Sequence, residues 1–275
     1  MRPDTAVTSR LSLRMRALAE LVGPCDVLAD VGCDHGFLAI YFVLSEKAKR
    51  AIAMDVQPGP LERAREHVRL YGCEDRIALR LADGLGALEP GEADAILIAG
   101  MGGGTILHIL EEGWEKAKAA KELILQPQSE ISRVRKFLLE RGYCIEAEDM
   151  VEEDGKFYPM MRAVPADCGK NQNRGKLPNR GENRGREEEW SREELRFGKR
   201  LIRERHPVLE RYLRLEESRC LRLEENLAKI PGVRSAARRE ELLTELADVR
   251  RALERFAPPS AAGLSSAGGE ENYES

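Results

Sequence analysis

Val27-Leu28-Ala29-Asp30-Val31-Gly32-Cys33-Asp34-His35-Gly36 decides the fold. Val27 to Val31 is a short apolar strand, Gly32 to Gly36 a turn, and Phe37 to Lys49 a helix. The same alternation runs outward from it. Ala51 to Asp55 is a second strand, and Pro60 to Tyr71 a helix opened by Pro58-Gly59-Pro60. Arg76 to Leu81 is a third strand. Ala93 to Ala99 is nearly continuous apolar sequence, as the centre of a parallel sheet requires. Thr105 to Gly113 is a helix, Leu123 to Leu125 a strand, and Ile131 to Arg141 a helix stopped by Gly142. Tyr143 to Val151 and Lys156 to Val164 flank Glu152-Glu153-Asp154-Gly155, which predicts a terminal antiparallel hairpin with a tight turn. Strands alternating with helices mean right-handed βαβ units in a doubly wound α/β sheet.

Beyond residue 165 the character changes. Residues 166–190 repeat Asn-Arg-Gly at 173–175, 179–181 and 183–185 with few apolar residues, so a disordered basic linker is expected. It serves either as a spacer or as an RNA-backbone contact. Residues 191–257 are expected to form a coiled-coil-like helical hairpin. Ile202, Leu209, Leu223 and Ile230 recur at multiples of seven, interleaved with Leu213, Cys220 and Leu227. Pro231-Gly232 breaks the first helix, and Leu242, Leu246, Val249, Leu253 and Phe256 form the seam of the second. Residues 258–275, rich in Pro, Ala, Ser and Gly, are expected to be a flexible tail.

The chain has 275 residues, 48 acidic and 44 basic, for a net charge of −4. That total conceals a division: residues 1–164 carry −6 and residues 165–257 carry +5. Most of the basic residues are arginines, whose planar fork suits phosphate. No run of about 18 uncharged apolar residues suggests a membrane span, and no secretory signal is apparent. The six cysteines are scattered without a CxxC pair, so neither a metal site nor a disulfide framework is expected, and a reduced cytoplasm is the default compartment.

The chemistry concentrates at strand ends. In the first turn Gly32 and Gly36 bracket polar Asp34 and His35, behind Asp30. Such a turn lets backbone approach a ligand and opens a helix N-terminus. It lacks the GxGxxG spacing, which argues against NAD or FAD and for a smaller nucleoside ligand with a charged amino-acid portion. Asp55 ends the second strand, where an acid accepts ribose hydroxyls. Asp83-Gly84 follows the third, placed to face an adenine amino group. The fourth ends in Gly100-Met101-Gly102-Gly103-Gly104 and the fifth in Gln126-Pro127-Gln128. Five such ends converge on one crevice at the carboxyl edge of the sheet.

Three segments carry a resemblance to a known family: Asp30 to His35, Gly91 to Gly103, and Leu123 to Pro127, with the turn Glu152 to Lys156 similar too. Over residues 8–164 the chain resembles the bacterial TrmK family, the tRNA (adenine-22-N1)-methyltransferases that use S-adenosyl-L-methionine. Cys33 and Gly36-Phe37 stand where the family often has a serine and an Ala-Tyr pair, and the Asn-Arg-Gly linker looks like an insertion. The resemblance implies a class I (Rossmann-like) methyltransferase domain over residues 1–165, S-adenosyl-L-methionine as cofactor and tRNA as partner; a monomer without a metal is expected. Cofactor contacts are then expected from Asp30, Gly32, Asp34, Gly36, Asp55, Asp83, Gly84, Gly100, Met101 and Gly102.

Methylation of N1 makes the exocyclic amine more acidic, so Asp34 and His35 are the catalytic candidates as proton acceptors. Asp34 has an equal alternative in binding the ligand's ammonium group, and His35 in satisfying backbone groups at the helix start. Asp30 has an alternative in capping loop amides. Gly103 gives space for a base, and Gln126 either reads a base edge or forms the turn before Pro127. Phe37, Tyr41 and Tyr158 are candidates for stacking on a flipped base. Arg10 and Arg14 are expected to meet tRNA. On the helical segment, Arg196, Lys199, Arg200 and Arg203 share a helix face and form either an RNA-binding stripe or a salt-bridged surface.

Overall fold

A computed structural model describes residues 7–166, 189–230 and 232–257. By internal contacts the chain divides into two units, the first running to Tyr212 and the second from Leu213 onward.

The first unit is built on seven strands: β1 (Cys25–Val31), β2 (Ala48–Asp55), β3 (Ile77–Leu81), β4 (Ala95–Met101), β5 (Glu122–Pro127), β6 (Tyr143–Glu153) and β7 (Lys156–Pro165). Their order in the sheet is β3-β2-β1-β4-β5-β7-β6. β3, β2, β1, β4 and β5 pair in parallel, and β7 enters antiparallel between β5 and β6. The helices are α1 (Leu13–Leu21), α2 (Phe37–Leu44), α3 (Pro58–Leu70), α4 (Gly103–Glu112), the short α5 (Trp114–Ala117) and α6 (Ile131–Glu140).

Alternation explains why both sheet faces are apolar. Val27, Ala29 and Val31 of β1 join Ile96, Ile98, Leu123 and Leu125 in a core shared with α4, α5 and α6. Leu28, between them, turns to the other face with Leu97 and Ile124, under Leu18 of α1 and Phe42 of α2. Ala51 and Ala53 of β2 meet Ile40 of α2 and Ala64 and Val68 of α3. Fully buried Leu and Ile side chains such as Leu28, Ile96, Leu97 and Ile98 are each worth about 1.5–3 kcal/mol. The hairpin joining β6 and β7 turns on Asp154 (φ 51°) and Gly155 (φ 71°), the left-handed pair that a two-residue turn needs to match strand twist.

Three elements differ from the sequence reading. α2 stops at Leu44, because Glu46 takes a left-handed conformation (φ 59°) and sends the chain into β2 at Ala48, three residues before the predicted start. α1 was not foreseen. It is opened by Ser12, whose side chain accepts the Met15 N–H, and it buries Ala17, Leu18 and Ala19. The segment after residue 190 is not one heptad helix. It forms α7 (Arg192–Phe197) and α8 (Lys199–Arg203), followed by α9 (Pro207–Ala228) and α10 (Val233–Glu254).

α7 and α8 pack on α6 and β6 of the first unit. A buried ion pair holds them there: Arg135 Nε donates to Glu148 Oε1 at 2.8 Å, with both side chains inaccessible. Arg135 Nη1 also donates to the carbonyls of Leu195 (2.9 Å) and Arg196 (3.0 Å), the orphan acceptors at the end of α7. Glu148 Oε2 accepts the Arg200 N–H at 3.0 Å, in the first turn of α8. Each charge therefore faces the helix terminus of opposite polarity. Between the two helices stands Gly198 (φ 102°), where a Cβ would lie 2.7 Å from Glu148 and 2.9 Å from Arg135. Contacts thus assign Ser191 to Tyr212 to the first unit, where the sequence pattern divided the chain at residue 191.

In the second unit, Cys220 of α9 packs with Leu242 and Leu246 of α10, and Arg239 and Arg250 pair with Glu224 and Glu217. The break expected at Pro231-Gly232 falls between these helices. Pro231, most of the linker and the tail lie outside the described residues. Among the described residues, no helix is long and apolar enough to cross a membrane.

Candidate active site

The chain runs from β1 to β2 to β3 in one direction and returns to place β4 on the other side of β1. That reversal opens a crevice at the carboxyl ends of β1 and β4. A cavity of about 270 Å³ occupies it, lined by Gly32, Asp55, Asp83, Gly84, Gly100 and Met101, all expected cofactor contacts, together with Val31, Val56, Ala82, Ala99, Thr105 and Ile109. Thr105 and Ile109 were missed. They are four apart on α4, so one face of that helix looks into the cavity.

The first turn is strapped to β2. The Gly32 and Cys33 N–H groups both donate to the Met54 carbonyl, at 2.8 and 3.0 Å. Asp34 sits in the left-handed region (φ 46°). Its N–H donates to Asp55 Oδ2 at 3.3 Å, while Asp55 Oδ1 accepts the Gln57 N–H at 2.9 Å. The ribose-binding candidate is therefore oriented from both sides. The Asp34 side chain is 64% exposed, ion-paired to Arg63 at 3.4 Å and 3.7 Å from His35 Nε2. Arg63 carries no motif signal; its position one helix away from the turn becomes visible only in three dimensions. His35 stacks on Phe37 (ring centroids 5.9 Å), and Phe37 on His67 (4.4 Å). His67 Nδ1 donates to the His35 carbonyl at 2.9 Å.

Asp30 does not line the cavity. It is buried behind the turn and accepts the Ala39 N–H in the first turn of α2, a helix amide where the alternative reading had loop amides. Burial pushes its carboxyl up to about 7, the Ala39 bond opposes this, and the nearby Asp55 charge adds to it. Burial likewise raises the Cys33 thiol, leaving it protonated and unreactive. Gly36 is buried against Ala64, and Gly102 lies beside Ser129; both shape the turns without lining the cavity.

Two expected tRNA contacts are corrected. Gln126 is fully buried, and its Oε1 accepts the Gly100 N–H at 3.0 Å, so it shapes the glycine loop and cannot reach a base. Gly103 is buried in the first turn of α4 and donates to Ser129 Oγ at 3.2 Å. The expected basic stripe is also broken. Gly198 separates Arg196 from Lys199. Lys199 is buried, 3.6 Å from Glu194 and 5.4 Å over the Trp190 ring. Arg196 lies on the Phe197 ring, and Arg200 donates through Nε to the Ile145 carbonyl. Arg203 and Arg10 are exposed. Phe37, Tyr41 and Tyr158 are each half-buried and pack against the core cluster that holds Leu18, Leu28 and Phe42.

This strand order, with carboxylates at the ends of β1 and β2 and after β3 and a glycine loop after β4, defines a Rossmann-like methyltransferase. The family described as "Methyltransferase domain" matches residues 11–161. The Bacillus subtilis tRNA (adenine(22)-N(1))-methyltransferase is 42% identical over 158 residues, 58% of this chain. The match spans 66% of that enzyme, just under two thirds of its length. The crystal structure of the B. subtilis m1A22 tRNA methyltransferase TrmK superposes with a TM-score of 0.73 at 30% identity, over 88% of this chain and 98% of that one. Streptococcus pneumoniae Sp1610 in complex with S-adenosyl-L-methionine gives 0.71 at 32% identity, over 88% and 99%. The chain belongs to the TrmK family of tRNA (m1A22) methyltransferases.

Proposed function

We propose that this chain transfers a methyl group from S-adenosyl-L-methionine to N1 of adenine 22 in tRNA, as a cytoplasmic monomer. The carrying observation is the cavity at the switch point, with Asp55 and Asp83 on one wall and the Gly100-Met101 loop on the other. The residues fit such a cofactor. Asp34 and Asp55 gather negative charge where a cationic ligand enters, and a Cβ at Gly32 would fill the cradle, 2.2 Å from Met101 Cε.

When bound, S-adenosyl-L-methionine supplies an electrophilic methyl group. Asp55, fixed by two backbone N–H donors, holds the ribose hydroxyls. Asp83 takes the adenine amino group, and Gly84 and Gly100 leave room for the nucleoside. The acceptor N1 needs alignment and exclusion of water more than chemical activation. N1 is hidden in a paired base, so the nucleotide must be extruded to reach the crevice. Asp34 and His35, at the mouth of the first turn, are the groups proposed to take the proton that methylation loosens from the exocyclic amine. Arg10 and Arg203, exposed on the first unit, are proposed to meet the tRNA backbone. The helical second unit is proposed as a further tRNA-gripping module.

The test is incorporation of labelled methyl into unmodified tRNA, comparing adenine 22 with guanine 22. Transfer only to the adenine substrate is expected; transfer to both or to neither refutes the assignment. Asp55→Ala should weaken S-adenosyl-L-methionine binding at least about tenfold, since a charge-assisted pair to two hydroxyls is worth roughly 1.5–3 kcal/mol. Unchanged affinity removes its ribose contact.

A further inference from the structure

We propose that Arg14 grips the phosphate of the acceptor nucleotide and thereby sets the extruded base at the mouth of the cavity; this rests on the tRNA reading above. Arg14 comes from α1, which precedes every cavity-lining element, yet three observations bring it to the glycine loop. First, Glu153 at the end of β6 caps α1: its Oε1 accepts the Leu13 N–H at 2.6 Å and the Arg14 N–H at 3.4 Å. The carboxylate faces the positive end of the helix and fixes the backbone of Arg14. Second, the Arg14 guanidinium lies 4.9 Å over the ring of Tyr158 on β7. Third, its Nη1 stands 3.8 Å from the point where a Cβ on Gly100 would be, and Gly100 lines the cavity.

The chemistry of the ligand follows from how this cation is held. Among the described residues no carboxylate lies within ion-pair distance of Arg14, so its charge is not consumed within the protein. The guanidinium lies over the Tyr158 ring, and its N–H groups make no hydrogen bond to another side chain or carbonyl among the described residues. A guanidinium so pinned presents a planar donor fork, the geometry that binds a phosphate through two oxygens. Tyr158 itself is half-buried, an aromatic ring suited to a base leaving its stack. An anionic oxygen could also come from the amino-acid end of the cofactor, and the experiment separates the two sources.

Arg14→Gln and Arg14→Lys are compared with the wild-type chain in methyl transfer to tRNA over a range of salt, with cofactor affinity measured by calorimetry. Arg14→Gln should lower kcat/KM for tRNA about tenfold or more, consistent with one lost phosphate contact, and flatten the salt dependence by about one contact. Arg14→Lys should restore the salt slope but only part of the rate, because an ammonium keeps the charge without the fork. Cofactor affinity should stay within about twofold of wild type in both. An unchanged kcat/KM and salt slope in Arg14→Gln overturns the proposal. A loss explained wholly by weaker cofactor binding overturns it in favour of the cofactor carboxylate. Absence of transfer by the wild-type chain instead overturns the tRNA reading itself.

Discussion

Replacing Gly32 with alanine imposes two separable costs, and Gly91 supplies the control. Gly32 has φ +75° and Gly91 φ +78°, so alanine at either site carries a left-handed penalty of about 1–2 kcal/mol. At Gly91 a Cβ meets nothing within 4 Å. At Gly32 it would lie 2.2 Å from Met101 Cε, closer than carbon atoms can approach. The turn cannot easily retreat, because the Gly32 and Cys33 N–H groups both bond the Met54 carbonyl, and each bond is worth about 1 kcal/mol. The flexible end of Met101 must move instead, and Met101 lines the cavity. Both variants should therefore melt a few degrees lower, at about 2–4 °C per kcal/mol for a body of this size. Only Gly32→Ala should lose cofactor affinity, by about tenfold or more, or about 1.4 kcal/mol. Thermal melts and calorimetric titration with S-adenosyl-L-methionine measure the two effects. Wild-type affinity in Gly32→Ala, or an equal loss in Gly91→Ala, would refute the reasoning.

Two further perturbations probe buried charge. Glu148→Gln leaves Arg135 without its counter-charge in an inaccessible site, so stability should fall by about 3–5 kcal/mol in denaturant unfolding; a loss under about 1 kcal/mol would mean that the pair does not anchor α7 and α8. Asp30→Asn should change how stability depends on pH. The folded carboxyl titrates near 7 against an ordinary value of 3.8, so the folded chain holds the proton more tightly and wild-type stability declines as pH rises between those values. The asparagine variant, which can still accept the Ala39 N–H, should lack that decline. A difference in melting temperature that stays constant from pH 4 to 7 would contradict the burial of an acid there.

The central strands were legible because a parallel sheet covered on both faces demands continuous apolar sequence, as in Ala95 to Ile98. The cavity was legible at Asp55, Asp83, Gly100 and Met101 because strand ends at a switch point are fixed by topology. α1 escaped notice because Arg14, Arg16 and Glu20 interrupt its apolar positions, and only Ala17, Leu18 and Ala19 are buried. The basic stripe failed for a different reason. Helical spacing presumes one unbroken helix, whereas Gly198 ends α7 so that a buried glutamate and arginine can reach the helix ends. Those partners stand some 50 to 60 residues earlier, beyond the reach of any local pattern. Gln126 was misread because a polar residue at a strand end suggests a ligand contact, yet its amide oxygen is committed to the Gly100 N–H.

The division of charge reappears within the site itself. Asp34 and Asp55 crowd the first turn, with Asp30 behind them, its carboxyl raised chiefly by burial and further by the Asp55 charge. Such crowding is sustainable where a cation arrives to relieve it. Across the crevice, beside Gly100, the charge is the opposite: Arg14 is held on Tyr158 with no carboxylate partner among the described residues. A sulfonium donor and a phosphodiester acceptor carry charges of opposite sign to those two walls. On the reading proposed above, each reactant enters from the wall it prefers, and the methyl group and the acceptor nitrogen meet between them at the glycine loop.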